Sequence, residues 1–186
     1  MNRSQTALLH AKEPQDSAFC ASPVLPTTQL AENRLEAVRE AVDAILLNCP
    51  DPLQVRDGAV HLYGVAQACA LIALRRGEDA ELAAIAGMLH DLSTYADAYT
   101  PDHAARSAAL ARTLLRRLAL FSAEEIERVC AAIACHSDKA QVHTAFAEVL
   151  LDADVLQHGL YNPTLFLLDG EVARFRALQQ EFSLAR

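Results

Sequence analysis

His90 and Asp91 stand side by side where an apolar run carrying Leu82, Ile85, Ala86 and Leu89 comes to an end. Two adjacent polar side chains of these types are costly to bury without a partner, and a metal ion is a partner both can share. His61 lies on an earlier apolar stretch, and Asp154 sits inside a later one, Val149 to Leu156. These four form a candidate ligand set. Histidine and carboxylate donors without cysteine suit Mn, Fe, Co, Ni or Zn, with Mg also open, and the mixed set points to an open catalytic site more than to a closed structural one. A metal held this way, with positions left for water, lowers the pKa of that water and polarises a phosphoryl oxygen. Hydrolysis follows from such an arrangement.

The elements that must position these residues read as helices. Leu35, Val38, Val42, Ile45 and Leu46 recur at helical spacing, which predicts a helix from about Leu30, capped by Thr28, to Asn48, with Pro50 and Pro52 ending it. A second helix is expected from near Asp57 to Arg76, stopped by Gly77; His61, Val65, Ala68, Cys69 and Ile72 put His61 on its inward stripe near the first turn. Asp79 caps a third helix that runs through Leu89, and Ser93 to Thr100 reads as a polar connection. Thr100-Pro101 starts a fourth, to about Ala119, with His103, Ser107, Leu110, Leu114 and Leu118 facing inward. Ser122-Ala123-Glu124-Glu125 is a capping box opening a fifth, on which Ile126, Val129, Cys130 and Ile133 lead to His136. A sixth helix carries Phe146, Val149, Leu150, Ala153, Asp154 and Leu156 to a stop at Gly159; Asn162-Pro163 begins a short helix or turn, and Glu171 to Leu184 is a final amphipathic helix.

Composition agrees with an all-α chain of one domain. Apolar residues make up 52% and aromatics only 5%, with no Trp, which favours closely packed helices over a sandwich or barrel. Residues 1–28 mix Pro14, Pro23 and Pro26 with polar residues and are expected to be a flexible arm, leaving 29–186 as the domain and its C-terminal helical extension. With 16 basic residues against 24 acidic ones, the charge of -8 argues against a nucleic-acid polymer as partner. Five cysteines without C-x-x-C spacing read as reduced packing thiols and hence a cytoplasmic protein. No leader-like start and no long uninterrupted apolar run are evident, so no membrane partner is expected.

The order His61, then His90-Asp91, then Asp154 resembles the H…HD…D pattern of the HD-domain metal-dependent phosphohydrolases. The surrounding text, HLYGVAQACALIAL, AAIAGMLHDLS and LLDADVLQ, is similar to that family's helices, and the resemblance covers about residues 30–160. It implies an HD-domain helical bundle of about six to eight helices. It also implies one divalent metal on His61, His90, Asp91 and Asp154, with Asp152 in support, because the family places its ligand just before a pair such as Val155-Leu156. His103 and His136 look like the extra positions that in some members hold a second metal or the substrate phosphate. For His103 a solvated first-turn residue, and for His136 a residue favoured by the helix dipole, are the plainer alternatives.

The implied function is hydrolysis of a small phosphate ester, a nucleotide or another phosphorylated metabolite, with His103, His136 and Lys139 neutralising charge on the phosphoryl oxygens. Several HD hydrolases carry a proton-handling glutamate after the HD pair, whereas this chain reads Leu92-Ser93-Thr94-Tyr95-Ala96-Asp97; the proton then falls to Asp97, to His103 or His136, or to metal-bound water. The six residues His61, His90, Asp91, His103, His136 and Asp154 are also similar to the set that some HD-fold oxygenases use for a di-iron centre. A non-catalytic module that binds metal or nucleotide and reports to a partner is the third reading, and a homodimer is compatible with any of them. Arg112, Arg116 and Arg117 lie opposite a leucine-rich face and read as solvated. His10, His143 and His158 are not expected to be ligands.

Overall fold

The computed structural model describes residues 33–97, 101–161 and 167–184. Among them are eight helices and no strand: α1 (Arg34–Leu47), α2 (Pro52–Arg76), α3 (Ala80–Leu89), α4 (Leu92–Asp97), α5 (His103–Leu118), α6 (Ala123–Cys135), α7 (Ala145–Tyr161) and α8 (Asp169–Glu181). The arm expected over 1–28, the Thr28 and Thr100 caps and the Asn162-Pro163 start lie outside the described residues.

Local chemistry sets the helix ends. Asn33 caps α1 by accepting from the Glu36 N–H at 3.1 Å. Asp51 caps α2, accepting from the Leu53 N–H at 2.9 Å, and Pro52 occupies the first helical position. This corrects the expected start near Asp57: a proline whose missing N–H would have been unpaired anyway opens a helix as readily as it closes one. The correction moves His61 from the first turn to well inside α2. Gly77 ends α2 with a left-handed φ of 75° that a side chain would resist. Ser122 and Glu125 exchange the two hydrogen bonds of the capping box at the start of α6.

α3 is buried at every position from Leu82 to Leu89, as expected of a helix that is apolar all round. It packs against α1, α2, α5, α6 and α7, so the chain leaves it at His90 in the middle of the protein. At Gly87 an added Cβ would lie 2.7 Å from the Ala66 Cα of α2. By length and composition α2 is long and apolar enough to cross a membrane, which the expectation of interrupted apolar runs did not anticipate. Its Leu62, Val65, Cys69, Ile72 and Ala73 are buried in the core.

Three further departures bear on the site. The expected polar connection after Asp91 contains α4, whose Ser93 is held to α5: its N–H donates to Ser107 Oγ at 3.1 Å, and its hydroxyl donates to the His103 carbonyl at 3.2 Å. α5 begins at His103, after a turn in which Asp102 has a φ of 54°. α7 runs past Gly159 to Tyr161, because that glycine serves packing: a Cβ there would lie 2.3 Å from the Phe175 ring of α8. The four described cysteines are free.

Candidate metal centre

Four helices converge on the end of α3. α2 contributes His61, the α3–α4 junction His90 and Asp91, α6 ends at His136, and α7 carries Asp154. His90, His136 and Asp154 are buried, whereas His61 and Asp91 are partly so.

Hydrogen bonds decide which way the imidazoles point. His90 Nδ1 lies 2.8 Å from the Gly87 carbonyl, and His136 Nδ1 2.8 Å from the Ile133 carbonyl. A carbonyl only accepts, so each Nδ1 carries a proton, and in the neutral ring Nε2 is then the nitrogen with the lone pair. His61 Nδ1 donates likewise to Gln157 Oε1 at 3.0 Å. The freed Nε2 atoms meet: those of His61 and His90 are 3.1 Å apart. Two lone pairs at that distance repel unless a proton or a metal ion lies between them.

The carboxylates complete the arrangement. Asp91 Oδ2 is 3.5 Å from His61 Nε2 and 3.6 Å from His90 Nε2, while its Oδ1 is 3.2 Å from His136 Nε2 and 3.6 Å from His103 Nε2. Asp154 Oδ1 is 3.7 Å from His61 Nε2 and 3.8 Å from His90 Nε2. Asp91 Oδ1 and Asp154 Oδ1 are buried without a hydrogen-bond partner, and a buried carboxylate oxygen without one is strongly disfavoured. Ligand atoms of His61, His90 and Asp154, and those of His90, Asp91 and His136, lie within 4.8 Å of one another in each group. The donor set, its bared lone pairs and its unpartnered oxygens fit a divalent cation.

The electrostatics give the same reading. Burial pushes the His90 imidazolium down to about 4, outweighing Asp91 and Asp154, so this ring is neutral near pH 7. Burial favours the protonated form of both carboxyls, yet His90, His136 and His61 hold Asp91 well below the usual carboxylate range. His90, Lys139, His158 and His61 hold Asp154 down to about 2. Burial lowers His61, but Asp91, Asp154 and Gln157 outweigh it and leave its pKa above the ordinary value. With protein groups alone, the site draws a proton to where a cation would sit.

Other residues singled out by sequence fall at varied distances. His103, partly exposed, has its Nε2 3.0 Å from Ser137 Oγ and its ring 5.1 Å from that of His136. Lys139 Nζ donates to Asp154 Oδ2 at 2.7 Å and lies 3.6 Å from Glu171 Oε1. Asp152 turns away from the site, pairing with Arg76 at 2.8 Å and Arg174 at 2.9 Å. The Asp97 side chain lies outside the described residues. Arg112 pairs with Glu127 on the surface, and His143 bonds the Asp138 carbonyl.

Sequence reasoning missed two residues. His158 Nε2 lies 3.4 Å from Asp154 Oδ1, and its Nδ1 lies 3.2 Å from Glu171 Oε1 on α8. The spacing of His158 four residues after Asp154 was a signal for the first contact. Nothing in the sequence signalled the second, which depends on how α8 folds back over α7.

An all-helical bundle with a histidine–aspartate centre at the end of its buried helix is the class of protein that fold and site define. The family model for the HD domain matches residues 58–159, more than half of the chain, and the protein belongs to that family. No curated protein matches it. Among solved structures, one described as a predicted HD superfamily hydrolase from an uncultured Thermotogales bacterium is 24% identical, aligned over 86% of this chain and 95% of that one, with a TM-score of 0.56. That similarity shows a shared fold.

Proposed function

We propose that this protein is a metal-dependent phosphohydrolase acting on a small phosphate ester, a nucleotide or another phosphorylated metabolite. The observation that carries the reading is the convergence of the His61, His90 and His136 Nε2 lone pairs on the unpartnered Asp91 and Asp154 oxygens. HD-domain membership and the hydrolase description of the Thermotogales relative support it. His61, His90, Asp91 and Asp154 would hold the cation, with His136 and His103 on the other side of Asp91. A bound divalent cation supplies a lowered water pKa and polarisation of a phosphoryl oxygen.

The chain's own groups divide the remaining work. His103, partly exposed at the start of α5 and 3.0 Å from Ser137 Oγ, would donate a hydrogen bond to a phosphoryl oxygen. Ser137 can do the same from the α6–α7 connection. Lys139 acts through Asp154, fixing one oxygen so that the other stays directed at the histidines. The buried wall of α3 and α7 excludes water behind the reacting group.

Asp91 stands between the pair His61 and His90 and the pair His136 and His103, which also suits a two-metal centre. A dinuclear hydrolase and a di-iron oxygenase share that arrangement, and oxygen-dependent turnover of an iron-loaded protein would favour the second. The test is phosphate release from a panel of nucleotides and sugar phosphates by protein loaded with Mn, Co, Ni, Zn or Mg. The reading expects release that depends on metal and is lost in His90→Ala. Absence of release across the panel, or release indifferent to His90, would overturn it.

A further inference from the structure

His158 does more in this geometry than decorate the surface of α7. Its Nε2 is 3.4 Å from Asp154 Oδ1, the same unpartnered oxygen that His61 and His90 face. Its ring lies nearly parallel to that of His61, with centroids 5.3 Å apart and 10° between planes. Glu171 fixes the direction of that ring. Its Oε1 lies 3.2 Å from His158 Nδ1, which leaves Nε2 as the nitrogen turned toward Asp154.

Glu171 is itself buried and anchored. It is 5% exposed, its Oε2 accepts from the Leu168 N–H at 3.2 Å, and Lys139 Nζ lies 3.6 Å from its Oε1. A carboxylate on the far nitrogen of an imidazole is the arrangement that sets tautomer and raises basicity in metal-bound histidines. The other three inward histidines use neutral acceptors for the same purpose: the Gly87 and Ile133 carbonyls and the Gln157 amide.

We propose that His158 is an additional ligand of the metal held by His61, His90 and Asp154, oriented by Glu171. The inference rests on the reading of the site as a divalent-metal centre. Glu171 lies beyond the part of the chain that matches the HD domain, so α8 becomes a working part of the centre. A further imidazole nitrogen favours Fe, Co, Ni or Zn over Mg at this position. Partial exposure of His158 places this ligand at the solvent side of the site.

The test is cobalt binding by the full chain, measured by chelator competition and by the visible absorption of the bound ion, in wild type, His158→Ala, His158→Gln, Glu171→Gln and His90→Ala. Loss of His158 is expected to weaken cobalt affinity by about 100-fold and to shift the visible band, and Glu171→Gln to weaken it by about 10-fold. X-ray absorption of the cobalt site should then count fewer imidazoles in both His158 variants than in wild type. Wild-type affinity, spectrum and imidazole count in both His158 variants, with cobalt lost in His90→Ala, would overturn the proposal and leave the metal centre standing. Failure of wild type to bind cobalt would overturn the metal centre as well. Should His158→Ala not fold, His158→Gln decides.

Discussion

His61 and His90, on different helices, face each other through Nε2 atoms 3.1 Å apart, and each has its Nδ1 proton committed elsewhere. Neither ring in that state has a proton to offer the other. The contact is held by the fold and relieved only by a cation, whether a proton or a metal ion, which makes proton and metal competitors for one place.

That competition has a pH signature. The folded-state pKa of His61 is raised above 6.5, so in metal-free protein its stabilising contribution is complete below pH 6.5 and is lost as pH rises through the raised value. Metal binding needs the neutral ring, so affinity should increase over the same interval. Thermal melts from about pH 6 to about pH 9 should show metal-free protein losing stability upward and metal-loaded protein keeping it. A metal-free protein that gained stability across this window would contradict the assignment.

Gly87 sets how closely α3 approaches α2. A Cβ there would lie 2.7 Å from Ala66 Cα, 2.8 Å from Ala66 N and 3.0 Å from Val65 C, all backbone atoms that cannot rotate aside. Gly87→Ala should cost about 1–3 kcal/mol in urea unfolding. Because the Gly87 carbonyl also orients His90, metal affinity should fall along with stability. Unchanged stability would mean that the helices part without penalty.

Arg174 ties α8 to the segment that carries Lys139. It donates to the Lys139 and Gln141 carbonyls, each at 3.1 Å, and pairs with Asp152 at 2.9 Å and Glu148 at 2.5 Å. Arg174→Ala would leave largely buried carboxylates short of a partner, with an expected cost of about 3 kcal/mol. Release of the Lys139 segment should also loosen Asp154 and weaken metal binding by about 10-fold. Calorimetry and chelator competition on one preparation check both effects.

Much of this was legible in the sequence because single-helix signals are local. The apolar stripe of α2, the capping box of α6 and the unbroken apolar run of α3 each fix a helix, and the order His61, His90-Asp91, Asp154 fixes the family. What escaped depended on contacts between elements. Gly159 read as a stop because nothing local reveals Phe175 against it, and Pro52 read as a stop because the same residue suits the start of α2. The pairing of Lys139 with Asp154 joins residues on separate elements and has no local signal. The joining of His158 to Glu171 likewise appears only once α8 lies on α7.

The most direct measurement is the metal content of protein purified without added metal, beside Asp91→Ala and His136→Ala. The account predicts about one or two divalent ions per chain in wild type, lost in Asp91→Ala, because Asp91 faces both histidine pairs. Retention of one ion in His136→Ala, from two in wild type, would identify the dinuclear form. Wild-type protein that holds no metal even after incubation with it, or a folded Asp91→Ala that holds as much as wild type, would contradict the account.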